Sequence, residues 1–200
     1  DYLTMKLTRI PKQDRVYEEF KLYHLNCEFG TIRELCRDLL TYATYYTDIV
    51  FKRSSRPALR SLYEDISDLR MEVSLPFLLK VHNDFAEGVI SQEELCEIIH
   101  LCISYVFRRS ICDIPTNSLN KTFATLRNAI RQDDYLNSIK AFFVLRDDYK
   151  EFPDDEKFAA AFVSRDIYNM RSRNFILGHL ENYGNKAPIT IENYTIEHIM

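Results

Sequence analysis

Ser91, followed three residues later by Glu94, opens a stripe of Leu95, Ile98, Ile99, Cys102, Val106 and Phe107. The Ser/Glu pair is a capping box, and the three- and four-residue steps behind it place the apolar side chains on one face of a helix. A strand turns its side chains to opposite faces at every residue and would divide this set between them. The same pattern recurs upstream. Thr31 and Glu34 cap a stretch in which Ile32, Leu35, Cys36, Leu39, Ala43, Tyr46 and Val50 trace one face. Before it, Val16, Phe20, Tyr23 and Cys27 form a shorter stripe stopped at Gly30. The two predict an antiparallel helical hairpin.

Further helix starts follow. Ser55 and Pro57 precede Leu59, Leu62, Ile66 and Leu69; Ser74 and Pro76 precede Phe77, Leu78, Val81 and Phe85, which end at Glu87-Gly88. Asn117 caps a segment with Leu119, Phe123, Leu126 and Ile130. Leu136, Ile139, Phe142 and Phe143 come after Asp133-Asp134, and Phe158, Ala161 and Phe162 after Pro153-Asp154. Ser172 precedes Phe175, Ile176, His179 and Leu180, with Gly184 where a C-terminal cap belongs. Four Gly and six Pro in 200 residues supply too little punctuation for a sandwich, barrel or propeller. The expected fold class is all-α, an irregular multi-helix bundle of about eight or nine helices. From Pro188 to Met200 β-branched residues dominate and the helical period is lost, which predicts a short extended C-terminal segment. The expected division is a helical domain over 1–186 and the start of a different domain over 187–200.

Lys and Arg number 26 against 30 Asp and Glu, a net charge of −4 that excludes a surface given over wholly to nucleic acid or membrane. Any such contact is confined to a patch. Two basic clusters offer one: Lys52, Arg53, Arg56 and Arg60, and the pair Arg108-Arg109. They could meet the phosphates of duplex DNA, or simply be solvated helix ends whose charge complements the carbonyl dipole. Convergence on one face favours DNA, and dispersal favours protein partners. Five Cys without paired short spacings fit reduced thiols and a cytoplasmic location. No stretch resembles a signal peptide or a membrane span of roughly 18 apolar residues.

The Cys/His groupings are His24 with Cys27, and Cys96, His100 and Cys102. Neither has doubled zinc-ligand spacing, so both read as core or boundary residues. His24, His82, His100 and His179 each fall within helical patterns and read as boundary residues rather than as catalytic bases. The acidic run from Asp147 to Glu156 reads as a solvated turn and a helix start. Signature phosphate loops, nucleophile elbows and H-E-x-x-H helices are absent.

At the end, Thr195-Ile-Glu-His-Ile-Met200 places an acidic residue directly before a histidine between isoleucines. This resembles the first element of the HNH, or His-Me-finger, nucleases. In such a site Glu197 would help hold a divalent cation and His198 would act as general base on the attacking water. The order of Tyr17-Glu-Glu-Phe20, Arg108-Arg109-Ser-Ile-Cys-Asp-Ile-Pro115-Thr-Asn117-Ser-Leu-Asn120-Lys, Phe158 to Tyr168, and Phe175-Ile-Leu-Gly-His-Leu-Glu181 ahead of it resembles the GmrSD-type modification-dependent restriction endonucleases. Those join a ParB-like N-terminal domain through a helical region to a C-terminal nuclease finger. The resemblance implies Mg or Mn for the complete nuclease and no cofactor for this stretch, with flanking domains of a parent chain and duplex DNA as partners. The family's nucleotide-linked Asp-Gly-Gln-Gln-Arg motif is not among these residues, and the finger's Pro-Gln and later Asn would follow Met200. The expectation is therefore a catalytically silent helical linker, with a protein–protein interaction module as the alternative.

Overall fold

A computed structural model describes residues 1–26, 30–187 and 189. Among them the fold is all-α, with α1 Tyr2–Leu7, α2 Val16–Asn26, α3 Ile32–Val50, α4 Pro57–Asp68, α5 Leu75–Ala86, α6 Gln92–Ile111, α7 Leu119–Leu126, α8 Tyr135–Val144, α9 Asp155–Ser164 and α10 Arg173–Glu181. Six single 3-10 turns join or extend them. Ten α-helices replace the expected eight or nine. The additional one is α1, six residues ended by Thr8 in the left-handed region (φ 54°) with no glycine to announce it. The expected extended segment lies, from Pro188 on and apart from Ile189, outside the described residues.

Both capping boxes form. Ser91 Oγ accepts from the Glu94 amide at 3.1 Å while Glu94 accepts from the Ser91 amide at 2.8 Å, and Thr31 with Glu34 repeats the arrangement at 3.3 and 3.0 Å. The helix starts expected at Pro57 and Pro76 carry those prolines in the first turn, where the missing N–H costs nothing.

At the centre lie α5 and α6. α5 buries Leu75, Phe77, Leu78, Leu79, Val81, His82 and Asp84, a ring too wide for one face, because α1, α3, α6 and α7 pack around it. α6 buries Leu95, Ile98, Ile99 and Cys102 along the expected stripe and touches α4, α8 and α9. One hydrophobic core runs from Ile49 on α3 to Ile176 on α10.

The face of α3 is a correction. The expected stripe begins at Ile32, which is 70% exposed, and Cys36, Ala43, Tyr46 and Val50 also face solvent. Of the expected stripe Leu35 is buried and Leu39 half-buried, and the other buried positions are Tyr42 and Ile49, so from there on the stripe is turned by about one residue. Tyr42, closed over by Met5 of α1 and Leu79 of α5, selects that face. α2, expected to pair with α3, buries none of its residues, and its Tyr23 meets Tyr2 of α1 edge-on at 6.1 Å. α1 itself is held by Arg127, whose guanidinium donates to the Met5 carbonyl at 3.0 Å, and by Tyr2, whose hydroxyl donates to Asp38 at 2.5 Å.

Two polar side chains of α5 sit in the core. His82, only 6% exposed, is an interior residue rather than a boundary one. Its Nδ1 donates to the Leu78 carbonyl at 2.7 Å, and with burial keeping the ring neutral its Nε2 accepts from the Tyr63 hydroxyl at 2.7 Å. Buried Asp84 accepts from Tyr135 at 2.5 Å and pairs with Lys80. Burial pushes the His82 pKa down to about 4 from an ordinary value near 6.5. Below pH 6.5 the unfolded chain binds a proton that the folded one refuses, so stability falls as pH drops from 6.5 towards 4. Exposed His179 has the opposite sign: its hydrogen bond to Asp65 at 2.8 Å raises its pKa, and that contribution fades as pH rises. Urea unfolding at pH 7 and 4.5 should show wild type losing about 2 kcal/mol more than His82→Gln over that interval. Equal losses would contradict the neutral buried imidazole.

Candidate functional site

Arg108 and Arg109 occupy the last turn of α6, and neither is a free helix end. Arg109 is 1% exposed. Its Nη1 donates to the Glu151 carbonyl at 3.2 Å, and its Nη2 to the Pro115 carbonyl at 2.7 Å and Ser118 Oγ at 3.2 Å. Its guanidinium lies 5.1 Å from the Tyr105 ring centre. One turn back, the Tyr105 hydroxyl donates to the Lys150 carbonyl at 2.9 Å. Arg108 donates to the Pro153 carbonyl at 3.1 Å and pairs with Asp155 at 2.6 Å. The connection from α8 to α9 thus hangs by its carbonyls at 150, 151 and 153 from three side chains of α6. No carboxylate bonds Arg109 among the described residues, and burial pulls its pKa down from the ordinary guanidinium value. A guanidinium keeps its proton in proteins even so, which leaves a buried cation held by neutral dipoles.

Arg53 and Arg56 lie elsewhere. Both are exposed in the α3–α4 connection, Arg53 stacked 5.1 Å from the Phe51 ring and Arg56 4.7 Å from the Phe85 ring. Arg56 also acts electrostatically on Cys96, near the start of α6. Thirteen residues of helix separate Cys96 from Arg109, about 20 Å of axial rise. The two basic clusters therefore sit towards opposite ends of α6 and do not form one patch.

Beside Arg109 lies a cleft of about 750 Å³. Arg70 enters it from the turn after α4, and Arg165 and Arg171 from the connection between α9 and α10. Arg165 pairs with Asp113 at 2.8 Å. Arg70 adopts a left-handed backbone (φ 53°), closing α4 with a Met71 amide bond to the Ile66 carbonyl at 3.0 Å. These three arginines escaped the sequence reading because they stand singly, far apart in the chain, and only the packing of α4, α6 and α10 brings them together.

The remaining sequence candidates are placed plainly. Glu197, His198 and Cys27 lie outside the described residues. Cys102 is fully buried and its thiol pKa is pushed up, whereas His100 on the same helix is exposed. Among the described residues no three His, Cys, Asp or Glu side chains gather where they could hold a metal ion, so they offer no ligand set for Mg or Mn. The acidic run is a turn and a helix start: Asp154 accepts from the Lys157 amide at 2.8 Å as the cap of α9. No helix among the described residues is long and apolar enough to cross a membrane. Comparison with protein-family models, curated proteins and solved structures finds no match to the chain.

Removing the buried guanidinium strands the carbonyls it holds, so Arg109→Met should lower unfolding free energy by about 3 kcal/mol. Arg108→Met, whose partner Asp155 is almost fully exposed, should cost about 1 kcal/mol or less. Urea denaturation of the two variants checks the difference, and equal costs would contradict the clamp.

Proposed function

We propose that the chain is the helical linker of a modification-dependent DNA endonuclease, a scaffold coupling a nucleotide-using sensor domain to a metal-dependent HNH-like nuclease domain and inactive by itself. The sequence resemblance supplies this role. The observation that carries it is the main core from Ile49 to Ile176, which joins α3 to α10 through packed side chains. Just beyond α10, Asn182 accepts from the Ile189 amide at 2.8 Å and donates to its carbonyl at 3.0 Å, so the chain leaving the bundle is clipped to it. In this reading Glu197 and His198 belong to the nuclease, Mg or Mn is its cation, duplex DNA is its substrate, and the site of action is cytoplasmic. A second reading, a protein–protein interaction module, draws on the apolar side chains that α2 and α3 leave exposed, Leu22, Leu25, Ile32 and Leu40 among them.

The test uses the complete gene product with Mg²⁺ or Mn²⁺ and duplex DNA carrying modified bases. The expected result is cleavage that Glu197→Ala and His198→Ala each reduce at least a hundred-fold, with the melting temperature unchanged. Cleavage that survives both substitutions, or no cleavage of any modified duplex, would overturn the reading.

A further inference from the structure

We propose that the cleft between the ends of α4 and α6 and the α9–α10 connection binds a phosphate-bearing ligand of nucleotide size, its phosphate held by Arg70, Arg165 and Arg171. The cleft carries this inference without help from the endonuclease reading.

Charge is the first ground. Four arginines line the cleft, counting Arg109 at its back, against a single carboxylate, Asp166. Asp166 is already occupied, accepting from the Tyr168 amide at 3.1 Å and the Asn169 side chain at 2.9 Å. Arg165 is matched by Asp113, but Arg70 and Arg171 have no side-chain partner among the described residues. The surplus is unusual in a chain of net charge −4, where carboxylates outnumber cations.

Unsatisfied donors are the second. Arg109, all but wholly buried, has an Nε–H with no acceptor, and the buried Nε–H of Arg165 lacks one as well. Buried donors are almost always paired, so these two sealed Nε–H groups leave the cationic wall of the cleft undercompensated, although a ligand in the cleft reaches the outer guanidinium nitrogens rather than the Nε atoms themselves. A phosphate presents several anionic oxygens to guanidinium forks and suits a pair of them better than an isolated carboxylate does.

Size and lining are the third. About 750 Å³ far exceeds a bare phosphate and falls within the range of small-ligand pockets. Val73, Val106 and Met170 form an apolar wall, while the side chains of Asn117 and Asn120 stand at the edge with no side-chain partner among the described residues. An apolar wall beside carboxamides and arginines suits a ligand with an anionic end and a flat ring bearing hydrogen-bonding edges. An acidic peptide would leave that wall uncovered.

The test measures binding of three probes by the chain: ADP, a twelve-nucleotide oligodeoxynucleotide as single strand and as duplex, and an oligoglutamate of matched charge. Wild type is compared with Arg70→Gly, Arg171→Gln and Lys121→Gln. Glycine favours the left-handed backbone at position 70, so Arg70→Gly should melt at or above the wild-type temperature. Lys121 lines a separate hollow with Arg9 and Arg146, which makes it the control. The expected result is that ADP or an oligonucleotide binds, and that Arg70→Gly and Arg171→Gln each weaken binding about ten-fold while Lys121→Gln does not. Preference for ADP assigns a free nucleotide as the source of the phosphate, and preference for either oligonucleotide assigns a nucleic-acid strand. The proposal is overturned if neither phosphate probe binds, if oligoglutamate binds as tightly, if Arg70→Gly and Arg171→Gln are silent, or if Lys121→Gln weakens binding as much as they do.

Discussion

A guanidinium removed from water without a bonded carboxylate is expensive to keep, and its neighbourhood is shaped by the need to satisfy it. Arg109 meets that need with dipoles from three places: the carbonyl of Pro115 ahead of α7, the Ser118 hydroxyl, and the carbonyl of Glu151 ahead of α9. Tyr105 and Arg108 extend the arrangement along the same connection. Irregular backbone between helices has carbonyls with no ladder to pair in, and here the helix at the centre supplies donors for them. The order of the C-terminal half of the bundle, including the wall of the cleft, follows from that exchange.

The two central helices divide the work differently. α5 is buried nearly all round and holds α1, α3 and α7 by apolar contact, with the His82–Tyr63 and Asp84–Tyr135 pairs as its polar exceptions. α6 keeps a conventional apolar stripe for its first three turns and then changes character, ending in Tyr105, Arg108 and Arg109, each of which donates to a backbone carbonyl. Non-glycine residues close several of the turns in left-handed conformations, Lys52, Arg70 and Asp113 among them. At Arg70 that conformation costs on the order of 1 kcal/mol relative to glycine and leaves a long cation at the mouth of the cleft.

Local grammar carried the sequence reading at the two capping boxes and at Asp154, but not at Asn117, which sits in a 3-10 turn that leaves Ser118 at the start of α7 with no side-chain cap bond. Ser91–Glu94 and Asp154 state their roles in the residues alone, because a cap needs only its own first turn. The reading failed where a distant element decides. On α3 two overlapping apolar stripes share Leu35, and the choice of Tyr42 over Ala43 was made by α1 and α5, with Ile49 rather than Val50 buried beyond it. α1 makes no side-chain cap bond and is held from a distance, by Arg127 at its Met5 carbonyl and by Tyr42 and Leu79 packed on Met5. His82 looked like a boundary residue until Tyr63 supplied a buried partner. Arg108 and Arg109 stood out as a cluster, but Glu151, Pro153 and Asp155 lie more than forty residues downstream and no spacing rule reports them. The cleft was the least legible feature, since each of its arginines is ordinary in its own segment.

Hydrogen–deuterium exchange on wild type and Arg109→Lys tests most directly whether the buried guanidinium organises the C-terminal half. Lysine keeps the positive charge but cannot reach three acceptors from one planar group. The account predicts that protection is lost over residues 113–118 and 148–153 while α5 and the first three turns of α6 exchange as in wild type. Unchanged protection in those two connections, or an even loss across the whole bundle, would contradict it.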